Sequence, residues 1–151
     1  MSVAFRRESD DEHLEPRFEL PIPAGPNLVT ARGRALIDER IALLEASLPD
    51  AADEEAAKRV QRDLRYWKTR RATAMETAAR TDGIVGFGSR VTFRLGGTER
   101  TATLVGDDEA DPAAGLLSFS APLPRALMGA EAGETIAFNG REEAIEVIAV
   151  G

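Results

Sequence analysis

Apolar residues keep helical time through the first half of this chain and strand time through the second. After Thr30, the residues Ile37, Ile41, Leu44 and Leu48 recur at steps of 4, 3 and 4, with Leu36 and Leu43 widening the stripe. That spacing places them on one face of an amphipathic helix, and Thr30 suits its N-cap. Pro49-Asp50 predicts the stop, because proline disfavours helical backbone in the residue before it. Asp53 predicts the cap of a second helix, with Glu54 and Glu55 in its first turn, where the helix dipole favours anions. Val60, Leu64 and Trp67 then recur at steps of 4 and 3, with Ala74 and Ala78 on the same row. The connection is short, so the two helices are expected to be antiparallel neighbours. The prediction is a helical hairpin, a short coiled coil, with an acidic tip and with Trp67 in its core.

Gly83 predicts the close of the second helix, and beyond it the period becomes two. Val91, Phe93 and Leu95 alternate with Arg90, Thr92 and Arg94, as on a strand with one buried face. Gly96-Gly97 separates that run from Arg100–Val105, and Asn139-Gly140 separates Ile136–Phe138 from 143–150. Both dipeptides suit two-residue turns that need positive φ. Leu116–Ser120 predicts another strand, and Pro124–Met128 a short helix opened by proline and stopped by Gly129. The fold class is therefore α+β: a flexible N-terminal arm over 1–28, a helical hairpin over 29–82, and an antiparallel β domain with a short helix over 83–151. The arm follows from the charge run at Ser9–Glu12 and from Pro21, Pro23 and Pro26, which resist regular structure.

Composition narrows the chemistry. The 151 residues contain no cysteine, which excludes thiolate metal sites, disulfides and a cysteine nucleophile. No apolar run approaches the roughly 18 residues of a spanning helix. Met1–Glu12 lacks the apolar core of a signal peptide. The expectation is a cytoplasmic protein with no membrane partner.

The net charge of −7 is unevenly spread. Residues 1–29 carry 3 basic and 6 acidic side chains, and residues 83–151 carry 5 and 10, whereas residues 30–82 carry 11 and 10. Lys58, Arg59, Arg62, Arg65, Lys68, Arg70 and Arg71 form a stripe with only Asp63 as a local counter-charge. An acidic protein with one basic stripe is a poor general nucleic-acid binder but can hold a polyanion locally. Sequence-specific DNA binding is not expected. His13 has no partner in sequence and is assigned no role.

Several segments resemble one known family. Val105-Gly106-Asp107-Asp108-Glu109-Ala110-Asp111 is similar to a "VG-DEAD"-like stretch of the Gre transcription factors. Leu117 to Gly129, with its Ser-Ala-Pro-Leu-Pro-Arg-Ala-Leu-Met-Gly run, resembles their next motif, and Ala132-Gly133-Glu134 the one after. Phe87-Gly88-Ser89-Arg90-Val91 looks like their opening strand. In the first half, Leu28-Val29-Thr30 with Gly33, and Arg62-Asp63-Leu64-Arg65-Tyr66-Trp67, are similar to segments of the GreA/GreB-like hairpin, the second to its GreB branch.

The resemblance implies an FKBP-like C-terminal domain that grips the rim of the secondary channel of bacterial RNA polymerase, and a hairpin that reaches down the channel. In the family an acidic pair at the tip helps to hold a second Mg²⁺ at the polymerase active site, where backtracked RNA is hydrolysed. Two-metal hydrolysis needs hard oxygen ligands, and carboxylates supply them. The factor adds ligands and is not itself an enzyme; no cofactor of its own is expected. The corresponding residues here are Asp50 and Asp53, whose other reading is a helix cap and a favourable first-turn charge. The serine, asparagine and tyrosine of the family tip are missing. Arg59, Arg62 and Arg65 correspond to side chains near the nascent RNA 3′ end, or else form a solvated face paired internally, as Asp63 with Arg59 or Arg70. Ser120, Ala121, Pro122 and Leu123 correspond to the polymerase-binding loop, or else form a turn that places Leu127 in the core.

Length separates two outcomes. The hairpin is roughly 20 residues shorter than the family's, which at 1.5 Å per residue over two helices withdraws the tip by roughly 15 Å. One outcome is an elongation regulator that stimulates cleavage of backtracked RNA. The alternative is a non-cleaving competitor for the channel, like DksA-like or Rnk-like proteins. Prolyl isomerase activity, known among FKBP-like folds, is not expected, because the core claims several of Phe87, Phe93, Phe119 and Phe138.

Overall fold

A computed structural model describes residues 19–151, so the expectations for the first 18 residues of the arm lie outside the described residues. The order of elements is β1 (Leu28–Val29), α1 (Ala31–Ser47), a 3-10 turn (Leu48–Asp50), α2 (Glu54–Thr73), β2 (Met75–Glu76), β3 (Arg90–Leu95), β4 (Thr98–Val105), a second 3-10 turn (Pro112–Ala114), β5 (Leu116–Ser118), α3 (Pro122–Leu127), β6 (Thr135–Phe138) and β7 (Arg141–Val150). The fold is α+β, as the pattern predicts.

The chain divides into two compact units, but not at the boundaries the pattern suggests. One is made of residues 37–73 with 19–25, and the other of residues 26–36 with 74–151. The physical reason is a short parallel pair, Leu28 with Met75 and Val29 with Glu76, that ties the chain before α1 to the chain after α2. A consequence is that α2 ends at Thr73 and not at Gly83. Ala74–Glu76 leaves the helix to pair with β1, with Met75 N–H donating to the Asn27 carbonyl at 2.9 Å and Thr77 N–H to that of Val29 at 2.8 Å. Ala78, expected on the apolar row, is exposed.

In the helical unit, Ile37 and Ile41 are buried and Leu44 and Leu48 half-buried, so the 4-3-4 stripe is the packed face. Leu43 does not widen it and stands 57% exposed. Leu64 is buried, with Val60 and Trp67 half-buried beside it. The two helices meet through side chains: Lys68 Nζ lies 3.5 Å from a Glu45 carboxylate oxygen, and the Arg40 guanidinium lies 5.9 Å from the Trp67 ring centroid.

In the other unit the five-stranded sheet runs β5-β4-β3-β7-β6. The β3–β4 and β6–β7 pairs are the two hairpins expected around Gly96-Gly97 and Asn139-Gly140. Asn139 and Gly140 both have positive φ, +51° and +77°, which is the two-residue turn geometry the dipeptide favours. The sheet is mixed, not wholly antiparallel: β5 returns after the second 3-10 turn and runs parallel to β4, Thr103 opposite Leu116. Val91 and Phe93 of β3, Ala102 and Leu104 of β4, and Ile145 and Val147 of β7 face one core, and Leu127 of α3 closes it. Leu127 is fully buried, and burying a leucine side chain contributes about 1.5–3 kcal/mol, enough to fix so short a helix on the sheet.

Candidate functional site

The matched motif residues build three features, two in the sheet-bearing unit and one in the helical unit. The first is an apolar groove of about 550 Å³ lined by Pro112, Leu117, Pro122, Leu123, Pro124 and Phe138 among others. Here the expected loop is different. Helix α3 starts at Pro122, two residues earlier than the pattern suggests, because Ala121 is extended (φ −72°, ψ 157°) and serves as the N-cap, with Pro122 preset for a first helical turn. Pro122 and Leu123 are therefore helical, and Ala121, Pro122 and Leu123 line the groove. Ser120 turns elsewhere: its hydroxyl donates to an Asp107 carboxylate oxygen at 2.7 Å, and the Ser118 hydroxyl donates to the same oxygen. Asp107 thus fixes the turn that delivers α3 to the groove. Pro122 is exposed, whereas Leu123 is partly buried and packs against the core.

The second feature was visible in sequence only as isolated motif positions. Thr30 caps α1, with the Gly33 N–H donating to its hydroxyl oxygen at 2.9 Å. The same hydroxyl donates to Glu109 Oε1 at 2.6 Å, and an Arg32 guanidinium nitrogen lies 3.0 Å from Glu109 Oε2. The Glu109 side chain is only 4% exposed, against 62% for Arg32. A side chain on Gly33 would stand 2.9 Å from Glu109 Oε1, and one on Gly106 would overlap the Leu28 carbonyl oxygen. The "T-x-x-G" and "V-G-x-x-E" positions are thus two halves of one clasp.

The third feature is the hairpin tip and the face of α2 behind it. Asp50 and Asp53 are both exposed. Asp53 caps α2, one of its oxygens accepting the Ala56 N–H at 2.8 Å, which leaves the other open. No cluster of three or more His, Cys, Asp or Glu side chains among the described residues is arranged to hold a metal. Two such carboxylates fit part of an octahedral Mg²⁺ shell, not a whole one, so the tip suits the role of a donor to a metal held elsewhere. On α2, Lys58, Arg59, Arg62 and Arg65 line a groove of about 620 Å³ with Glu19 and Glu55. The internal pairing expected for Asp63 goes to Arg62, at 2.9 Å, and not to Arg59. Arg70 is buried and leaves the basic face. Arg65 binds Glu19 through two nitrogens, at 3.1 and 2.7 Å.

A hairpin with an acidic tip and a basic flank, in a chain that also forms a small mixed-sheet domain with an apolar groove, places this protein in the α+β class. Residues 80–151 match the family model described as "Transcription elongation factor, GreA/GreB, C-term", and the C-terminal domain of this chain belongs to that family. Among curated proteins, the chain is 38% identical over 84 residues to transcription elongation factor GreA of Sinorhizobium medicae, covering 53% of each chain. It is 32% identical over 100 residues to GreA of Mesoplasma florum, covering 61% of this chain and 64% of that one. The chain spans about half the length of the first of these relatives and under two thirds of the second. Among solved structures, GreA factor homolog 1 of Thermus thermophilus aligns at a TM-score of 0.39 and 14% identity, over 84% of this chain and 99% of that one. No helix among the described residues is long and apolar enough to cross a membrane.

Proposed function

We propose that this protein is a transcription elongation regulator that binds bacterial RNA polymerase at the secondary channel, docking through the apolar groove beside α3. The observation that carries this reading is the groove itself. It is formed by the Leu117–Pro124 stretch of a domain that matches the GreA/GreB C-terminal family. Two prolines at the start of α3 hold it open without a partner, so little conformational entropy is lost when one docks. In this reading the protein has no active site of its own; any hydrolysis belongs to the polymerase.

Of the two outcomes, occupation of the channel without strong stimulation of cleavage is the better supported. Helices α1 and α2 have 17 and 20 residues, and 20 residues extend only about 30 Å. One Asp53 oxygen is also engaged in capping α2. Asp50 and Asp53 are therefore proposed as weak Mg²⁺ donors at most, with Arg59, Arg62 and Arg65 facing the RNA 3′ end.

Pro122→Asp tests the docking surface. Aspartate is favourable in a first helical turn, so helix α3 is retained while the exposed rim of the groove gains a charge. Loss of an apolar anchor at a small interface costs about 2 kcal/mol, so binding to core RNA polymerase in a pull-down or titration is expected to weaken at least about tenfold. Unchanged affinity with unchanged melting would place docking elsewhere.

A further inference from the structure

The chain has two asparagines, Asn27 and Asn139, and the fold treats them differently. Asn27 is buried, with Leu28 of β1 after it. Asn139 is exposed at the tip of the β6–β7 hairpin, with Gly140 after it. Among the described residues, neither the Asn139 side-chain amide nor the Gly140 N–H has a hydrogen-bond partner. No heavy atom lies within 4 Å of where a Cβ on Gly140 would stand, so the backbone nitrogen is open to approach. We propose that Asn139 is a site of spontaneous modification, at which Gly140 and water convert the amide into a carboxylate on the rim of the apolar groove. The modification stands on the turn alone; its effect on docking rests on the groove being the docking surface.

Water is the only co-reactant. The Gly140 backbone nitrogen attacks the Asn139 side-chain carbonyl carbon and closes a cyclic imide. The bond from that carbon to the amide nitrogen breaks, and ammonia leaves carrying the proton from Gly140. Water then adds to one of the two imide carbonyls, and the ring opens to an aspartate or, with the chain rerouted through the side chain, an isoaspartate at position 139. Attack requires rotation about the Asn139 Cα–C bond, opposed by the Phe138–Arg141 pair that closes the turn, and exposed hairpin tips open at little cost. Asp82-Gly83 has the same spacing without the same freedom. Arg80 donates to both Asp82 carboxylate oxygens, at 3.1 and 2.5 Å, and the Ile84 N–H donates to one of them. Hydrogen bonding from Arg80 holds the Asp82 carboxyl down at about 2, so it stays ionised at neutral pH, and a carboxylate resists nucleophilic attack. The product at Asn139 matters because the residue lines the apolar groove with Phe138 and Leu123. A carboxylate there must be desolvated when an apolar partner docks. Isoaspartate also adds a backbone carbon to a turn whose length sets the register of β6 against β7.

The test incubates the full chain in mildly alkaline buffer and follows two tryptic peptides by mass spectrometry, 126–141 with Asn139 and 18–32 with Asn27. The first is expected to gain the mass difference between an amide and an acid and to split into two chromatographic isomers, while the second stays unchanged. Asn139→Gln, whose longer side chain disfavours ring closure, should stop the change. An Asn139 peptide that stays intact, or that changes no faster than the Asn27 peptide, would overturn the site. For docking, incubated wild type and fresh Asn139→Asp, a substitution compatible with positive φ, are compared with fresh wild type. Both are expected to bind core RNA polymerase about five- to tenfold more weakly, with Asn139→Gln unaffected by incubation. Full binding by the modified protein, where Pro122→Asp has lost it, would overturn the effect on docking and leave the groove as the docking surface. Unchanged binding by both would overturn the groove reading and the effect with it.

Discussion

Glu109 shows what a single residue does in this fold. Its buried carboxylate accepts from Thr30 and pairs with Arg32, and the two bonds join positions 79 and 77 residues apart. Glu109→Ala leaves the Thr30 hydroxyl without that acceptor and a small void beside Gly33, and is expected to cost about 1–3 kcal/mol in urea unfolding. Arg32→Ala removes only the exposed partner and should cost under about 1 kcal/mol. Equal effects of the two substitutions would mean that the ion pair, not the buried hydrogen bond, holds the clasp. Gly33, Gly106 and Glu109 were legible in sequence as positions of a pattern. Their common purpose was not, because periodicity and capping rules act over a few residues and the clasp closes over nearly eighty.

At the scale of elements, local rules succeeded where the element is local. Thr30 and Asp53 cap the helices they were expected to cap, and both glycine-containing dipeptides turn the hairpins they were expected to turn. Three elements went otherwise for non-local reasons. Helix α2 stops at Thr73 because its continuation pairs with β1. Strand β5 joins the sheet parallel to β4. Helix α3 begins at Pro122 because Asp107 ties down the preceding serines. The tip offers a clean check of the two roles of its acidic residues. If Asp53 is chiefly a cap, Asp53→Ala should lower thermal stability by about 1 kcal/mol, and Asp50→Ala, exposed and outside any cap, should leave it unchanged. A matched loss from both would contradict that assignment.

At the scale of the molecule, the division into units matters for how the protein is understood. The sheet-bearing unit takes in residues 26–36 as well as 74–151, so the start of α1 belongs with the C-terminal domain, a relationship that a linear boundary at residue 83 hides. Affinity in the proposed account resides mainly in that unit's apolar groove, whereas metal delivery requires ligand atoms placed within about 0.2 Å at the end of the other. On that account a short hairpin loses stimulation of the polymerase's cleavage before it loses binding. The most direct test places wild type and Asp50→Asn/Asp53→Asn on backtracked transcription complexes with Mg²⁺, alone and in competition with a full-length Gre factor. The account predicts feeble, equal cleavage by both proteins and equal suppression of the cleavage that the Gre factor stimulates. Strong cleavage by the wild type that the double substitution abolishes would contradict it, and would mean that the tip reaches the polymerase metal despite its length.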